Sequence, residues 1–444
     1  MNFHLAWKIP SFVVLVGLAV RECFSFWTGH PFDFEVWLRN AAYVSQGANP
    51  YSSFRPVPGV SFEFLDQSIG SIGYPPFWPI VVAGIFDGYR FLSIDNRFVL
   101  YFLLKQPIVI GDVLLGLSMY RAVLAWGGSR DAALRALRFW SLFPYAIVIS
   151  AIWGQFDALV ALLWLTFIST SSRKKRGMSL GFSIFLKVLP IIYAPYLLLR
   201  ERGRSRATVL VGIALPAGLT SAVFLLTGWS LTPFLGTVGN NVQGSVVVGM
   251  TYMNLFLDPT VLSALASYGL FYLGLRHVWI PAVLLASWFA YRKFPQSQPA
   301  GTIQASIFIL VVFLLTRWGV NEQLLISLFP LLVLDAILWH PERRWLWLSL
   351  ILVACAFLLV DTYLLVLFVG PVYPGVIDTI LAAQQEWRLQ MLQRALIQAL
   401  GILFTILLIQ AAIVIADPRR GSTPWLARVL RRVWSLPSSN WRGA

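Results

Sequence analysis

Apolar runs long enough to cross a membrane alternate with short polar stretches along almost the whole chain. Residues 207–226, 305–315, 324–338 and 345–369 are the clearest examples. A hydrocarbon core asks for about 20 apolar residues per helix, and the alternating pattern of an outer-membrane barrel is absent. The pattern therefore predicts an all-α, polytopic transmembrane helical bundle of roughly 10–13 helices. The number is a range because two stretches are interrupted, at Lys105-Gln106-Pro107 and at Lys187-Val188-Leu189-Pro190. Each is either one tilted helix or a pair of half-helices dipping into the membrane.

Outside the runs, residues 27–75 read as structure rather than linker. Phe34, Trp37, Leu38, Ala41 and Ala42 recur at helical spacing within 34–46, which predicts a short amphipathic helix lying on the membrane surface. Gly47 can end it, Asn49-Pro50-Tyr51 turns the chain, and Tyr74-Pro75-Pro76 opens the next span. At the N-terminus, Lys8 precedes an apolar stretch with no small-residue cleavage site before Arg21, so a retained first helix is expected.

Composition closes off the soluble classes. Of 444 residues, 58% are apolar and 12% charged, about half the charged fraction of a soluble domain. The net charge of +15 would raise nucleic acid as a partner in a soluble protein. Here the basic residues cluster as Arg121, Arg130, Arg135 and Arg138; Arg173, Lys174, Lys175 and Arg176; Arg200, Arg202, Arg204 and Arg206; Arg292 and Lys293; and Arg343 and Arg344. Residues 417–444 add a basic tail beyond a transmembrane unit of 1–416. The positive-inside bias puts all of these, and both termini, in the cytoplasm. The expected partners are membrane lipids and no nucleic acid. Residues 27–75, 153–157, 229–258, 317–323 and 370–388 fall on the external or lumenal side: plasma membrane in a prokaryote, endoplasmic reticulum in a eukaryote. Two cysteines, Cys23 and Cys355, make neither a disulfide framework nor a metal cluster.

Several polar groups need a reason. Asp33 either caps the helix that follows, worth about 1 kcal/mol, or acts as a general base at the membrane boundary, a role worth about 10²–10⁴ in rate. Glu35 could orient a substrate or bind a metal. Trp153-Gly154-Gln155-Phe156-Asp157 is either a turn with Asp157 as cap or an aromatic face with a donor and an acceptor, as a sugar site has. Lys105, Asp112 and Lys187 lie in apolar stretches, where an unpaired charge costs at least about 2.5–3.5 kcal/mol. Lys105 and Asp112 pair with each other or serve function; Lys187 has no acidic neighbour in sequence. An external Arg317, in Arg317-Trp318-Gly319-Val320-Asn321-Glu322-Gln323, calls for an anion, whether a donor phosphate or a lipid headgroup. The stretch 229–258, with Asp258 as its one charge, suits a cover over a neutral polyol.

These pieces, in this order, resemble the GT-C superfamily of polytopic glycosyltransferases that use polyprenyl-phosphate sugars. The nearest likeness is to bacterial and archaeal polyprenyl-phosphate-mannose mannosyltransferases and the catalytic subunit of GPI mannosyltransferase I. The resemblance rests on Asp33 with Glu35, 47–51, Tyr74-Pro75-Pro76, Lys105-Gln106-Pro107 with Asp112, 153–157, 187–190 and 320–323. It implies a large external loop after the first helix and an inverting transfer of a hexose, most simply mannose, from a polyprenyl phosphate to a lipid or glycan acceptor. Asp33 would be the base. Glu35, Tyr74, Lys105, Trp153, Gln155, Asp157, Lys187, Arg317, Asn321, Glu322 and Gln323 would bind substrate. No cofactor is implied; a divalent metal is open but not favoured, because basic side chains can hold the phosphate. The chain carries Asp-Phe-Glu where an Asp-x-Asp pair is common in the family. The competing classes are a lipid-linked-sugar transporter or flippase and a non-catalytic GT-C-like subunit.

Overall fold

The computed structural model describes residues 3–52, 72–94, 96–243, 249–256, 261, 263–264, 267–295, 297–361, 364–373, 375–384 and 386–417. The basic tail after 417, residues 53–71 and Asp258 lie outside them. The described chain runs as α1 (Phe3–Ser25), α2 (Pro31–Val44), α3 (Phe77–Phe91), α4 (Arg97–Ala125), α5 (Arg130–Ser141), α6 (Pro144–Ile147), α7 (Asp157–Ser169), α8 (Arg173–Leu186), α9 (Ala194–Arg200), α10 (Gly203–Thr227) and α11 (Leu231–Gln243). The second half holds α12 (Leu270–His277), α13 (Trp279–Lys293), α14 (Pro299–Thr316), α15 (Phe329–Leu338), α16 (Arg344–Asp361), α17 (Leu364–Val369), α18 (Gly375–Gln384) and α19 (Trp387–Ala416). No strand occurs among the described residues.

Five helical stretches are long and apolar enough to cross a membrane: Arg97–Ala125, Gly203–Thr227, Pro299–Thr316, Pro341–Asp361 and Trp387–Ala416. A sixth is Arg130–Ser141 with Pro144–Trp153, bent by 46° between the two. Asp157–Ser169 and Leu189–Arg200 are apolar but shorter. The sequence count of roughly 10–13 helices thus mixes full spans with helices that stop inside the bundle.

The two interruptions resolve in opposite ways. Pro107 lies inside the unbroken α4, whereas α8 stops at Leu186, Lys187 is extended (φ −149°, ψ 127°), and the chain continues as a 3₁₀ turn into α9. Neighbouring side chains and polar groups let a membrane helix carry a proline without breaking.

The connections between helices gather at two ends. Arg176 pairs with Glu201, Arg200 reaches Thr302 Oγ1 (3.1 Å), and Trp126 lies against Trp339 (5.6 Å), gathering the basic connections at one end. At the other end Gly29 N–H donates to Leu367 O (2.9 Å), Arg97 to Val372 O (3.3 Å) and Met250 N–H to Val320 O (3.0 Å). The 29-residue α4 joins the two, about 43 Å apart at 1.5 Å per residue.

Gly47, at φ +80°, ends the helix after α2, and Asn49 Oδ1 accepts from Tyr51 N–H (3.0 Å) in the expected turn. α2 itself is covered more than a surface helix: Phe34, Glu35, Trp37, Leu38, Arg39, Asn40, Ala41 and Ala42 are all buried. Its aromatic side meets Trp78, Tyr101 and Phe156. Because Glu35 and Arg39 pair with each other, the charged side of the helix can be packed away from lipid and water. Within 229–258, the segment 250–253 is docked likewise. Met250, Thr251 and Met253 are buried, with Met253 in a cluster that includes Trp318.

Candidate active site

The site is assembled where two loops meet. The first leads from α1 into α2. His30 caps α2, its Nδ1 accepting from Asp33 N–H (3.3 Å), and Pro31 takes the first helical position, where a missing N–H does no harm. Asp33 is therefore not the cap. Its carboxyl is in the first helical turn, where the helix macrodipole favours a negative charge, and it points away from the helix.

The second loop ends the π-helical turn Val148–Trp153, a geometry that recurs at functional sites. Gly154 follows at φ +93°, and a Cβ there would lie 2.8 Å from the Phe34 ring. That reversal lets Trp153 and Gln155, on either side of it, aim at one target. Trp153 Nε1 (2.6 Å) and Gln155 Nε2 (2.7 Å) both donate to Asp33 Oδ2. The carboxyl is 25% exposed, and among the described residues Oδ1 has no hydrogen-bond partner. The His30 ring stacks on Trp153 (5.0 Å, 14°) with Nδ1 3.6 Å from Asp33 Oδ2. Gln155 Oε1 is buried and has no partner among the described residues, which leaves an acceptor for a hydroxyl.

Asp157, first residue of α7, accepts both of its bonds from Lys187 Nζ (2.7 and 2.8 Å). Lys187 is the partner that sequence proximity did not provide. The break after α8 carries it there; its Nζ also sits over the Tyr74 and Phe156 rings (5.6 Å each) and donates to Gln323 Oε1 (3.4 Å). Tyr74 stands edge-on to Phe156 (4.8 Å). Burial pushes its phenol well above the usual tyrosine range, with the Asp33 and Asp157 charges adding to the effect. It stays a neutral donor at any physiological pH.

Beyond Gln323, the 3₁₀ turn Glu322–Ser327 packs beside α7. Tyr145 Oη donates to Glu322 O (2.8 Å), and the Glu322 side chain lies beside Asp361, the last residue of α16. Asn321 precedes the turn, its carbonyl accepting from Leu324 N–H (3.1 Å). Arg317 lies over the Phe313 ring (5.3 Å), and burial lowers its guanidinium to about 10, still protonated at neutral pH.

Asp33, Trp153, Gln155, Tyr74, Asp157, Lys187 and Gln323 thus form one connected group, with Glu322 linked through its neighbour. Glu35 stands apart, fully buried and paired with Arg39 one helical turn on, so it faces the packing of α2 rather than open space. Lys105 also reaches no open space. Its Nζ is fully buried among Thr28 O (2.6 Å), Ala151 O (2.8 Å), Thr28 Oγ1 (2.9 Å) and Ile152 O (3.4 Å). The Lys105–Asp112 pair does not form. Asp112 instead accepts from Arg21 (2.7 Å), Trp140 Nε1 (2.7 Å) and Ser150 Oγ (2.6 Å). His30 and Asp361 were not foreseen; a histidine cap and a carboxyl pair across distant helices leave no local signature. Among the described residues no group of three or more His, Cys, Asp or Glu side chains is arranged to hold a metal ion.

Comparison with known proteins gives two findings. The family model of glycosyltransferase family 87 matches residues 74–317, which includes Tyr74, Lys105, 153–157, Lys187 and Arg317 and begins after Asp33. A polyprenol-phosphate-mannose-dependent alpha-(1-2)-phosphatidylinositol mannoside mannosyltransferase of Mycobacterium tuberculosis is 29% identical over 237 residues, 47% of this chain and 53% of that protein. The chain spans about half the length of that curated relative.

Proposed function

This chain belongs to glycosyltransferase family 87, and from that premise we propose that it moves mannose from a polyprenyl phosphate to a glycolipid or glycan acceptor, with Asp33 as general base. The observation that carries the reading is the asymmetry of the Asp33 carboxyl. One oxygen is fixed by two donors while the other is open. A base needs its basic oxygen free and its orientation set by something else.

In the proposed step the acceptor hydroxyl gives its proton to Asp33 Oδ1 as its oxygen attacks the anomeric carbon. The bond from that carbon to the donor phosphate oxygen breaks, the lipid phosphate leaves with the electron pair, and the configuration inverts. Lys187 is the cation for the leaving phosphate. Asp157 holds its Nζ in place, and Tyr74 and Phe156 flank it. Arg317 is a second cation for the same charge. Gln155 Oε1, Gln323, Asn321 and Glu322 supply hydrogen-bonding groups for sugar and acceptor, and Trp153 an apolar face. No metal ion enters the scheme. The requirement of the M. tuberculosis relative for polyprenol-phosphate-mannose, and its phosphatidylinositol mannoside acceptor, support mannose and a glycolipid here. By the positive-inside rule the basic end is cytoplasmic and Asp33 faces the external or lumenal side.

A transporter reading asks for broken helices in matching halves; α4 is unbroken at Lys105, which removes one of the two breaks it needs. The test compares wild type and Asp33→Asn in membranes given radiolabelled polyprenyl-phosphate mannose, with polyprenyl-phosphate glucose alongside. The expected result is mannose transfer by wild type and a loss of at least about 100-fold in the variant. Residual transfer above about a tenth of wild type would remove Asp33 as the base.

A further inference from the structure

Lys105 is a charged side chain with no access to substrate. Four oxygens from two loops surround its Nζ, two of them from Thr28 and the others the carbonyls of Ala151 and Ile152. These are not arbitrary residues. Thr28 lies two residues before His30, the cap of the helix that carries Asp33. Ala151 and Ile152 directly precede Trp153, which with Gln155 donates to Asp33. Between the loops, Thr28 Oγ1 also approaches Ala151 O (3.3 Å) and His30 N–H donates to Trp153 O (3.2 Å). The Lys105 ammonium closes this seam from the α4 side. Its nearest ring is Phe34 (5.5 Å), and its Cε is 3.4 Å from where a Cβ at Gly154 would stand. One lysine therefore touches both neighbours of the Asp33–Trp153–Gln155 contact and none of the contact itself.

We infer that Lys105 is a positioning residue that fixes the separation of the two loops and so keeps Asp33 against its donors Trp153 and Gln155. The inference rests on Asp33 being the base. A base held out of place weakens the chemical step more than it weakens donor binding, a preference that a general packing role lacks. Without the Lys105 bond the loops part, Trp153 and Gln155 recede from Asp33, and its open oxygen loses its fixed direction.

The experiment measures kcat and donor KM of transfer for wild type, Lys105→Met, Trp153→Phe and the double variant, on detergent-purified protein whose folding is checked by thermal unfolding. Lys105→Met should lower kcat about 10- to 100-fold and leave donor KM within about twofold. The double variant should lose less than the product of the single losses, because both act on one contact. A folded Lys105→Met with wild-type kcat, or with its loss confined to donor KM, overturns the inference. So does a fully multiplicative double variant. Should Lys105→Met not yield folded protein, Thr28→Val removes one of the four oxygens and must lower kcat by less with donor KM again unchanged; a wild-type kcat there is equally fatal. Asp33→Asn in parallel separates the two claims, since its retention of activity strikes the base and leaves the loop geometry untouched.

Discussion

The stretches around Lys105 and Lys187 look alike in sequence, each a lysine two or three residues before a proline in an apolar run, yet the protein uses them differently. At 105 the helix continues, the side chain is fully buried, and its partners are neutral oxygens of two loops. At 187 the helix stops, the backbone turns extended, and the side chain, 13% exposed, meets the carboxylate of Asp157 at the edge of the site. The difference teaches that a membrane-embedded lysine is not by itself a substrate ligand. What decides is whether its ammonium is spent entirely on buried neutral oxygens, which makes it scaffold, or keeps a share of solvent and a counter-ion that sets its direction.

The comparison is broken most severely by removing the Lys187 charge. Lys187→Met leaves Asp157 buried without its cation, a loss of about 3–5 kcal/mol for a buried pair, so thermal stability and transfer should both collapse. Adding Asp157→Asn should restore thermal stability but not transfer, which separates holding the fold from holding phosphate. Recovery of transfer in the double variant would take Lys187 out of the chemistry. Next comes Gly154→Ala. At φ +93° and 2.8 Å from Phe34, an alanine brings backbone strain of about 1–3 kcal/mol. It should lower both the unfolding temperature and kcat, since Trp153 and Gln155 no longer converge.

Trp153→Phe is milder. The ring and its stack on His30 remain while one donor to Asp33 is lost, so kcat should fall about tenfold with donor KM nearly unchanged. Smallest in its effect on transfer is Glu35→Gln. Glu35 faces Arg39 inside α2, so the variant should unfold more easily yet transfer at within about twofold of wild type per folded molecule. A large selective loss of kcat would return Glu35 to the site.

Much of this architecture was legible in the chain and some was not, for physical reasons. Apolar run length gave the helical bundle, Gly47 and Asn49 gave the turn after α2, and 153–157 marked the loop that meets Asp33. Local rules could not give partners drawn from far along the chain. Asp157 finds Lys187 across 30 positions, Lys105 finds Thr28 across 77, and Asp112 finds Arg21 across 91. The cap before α2 likewise turned on a neighbour, since His30 takes it and leaves the Asp33 carboxylate to other partners. The burial of α2 was hidden for the same reason. An Arg39–Glu35 pair reads as a polar face until both members are seen to close on each other.

A cryo-EM map of the protein with polyprenyl-phosphate mannose bound tests the central claim most directly. The account predicts the donor phosphate within hydrogen-bonding distance of Lys187 Nζ, the anomeric carbon facing the open oxygen of Asp33, and Lys105 still enclosed by Thr28, Ala151 and Ile152. A sugar bound at the basic end, or a phosphate on Lys105 with Lys187 left on Asp157 alone, would contradict it.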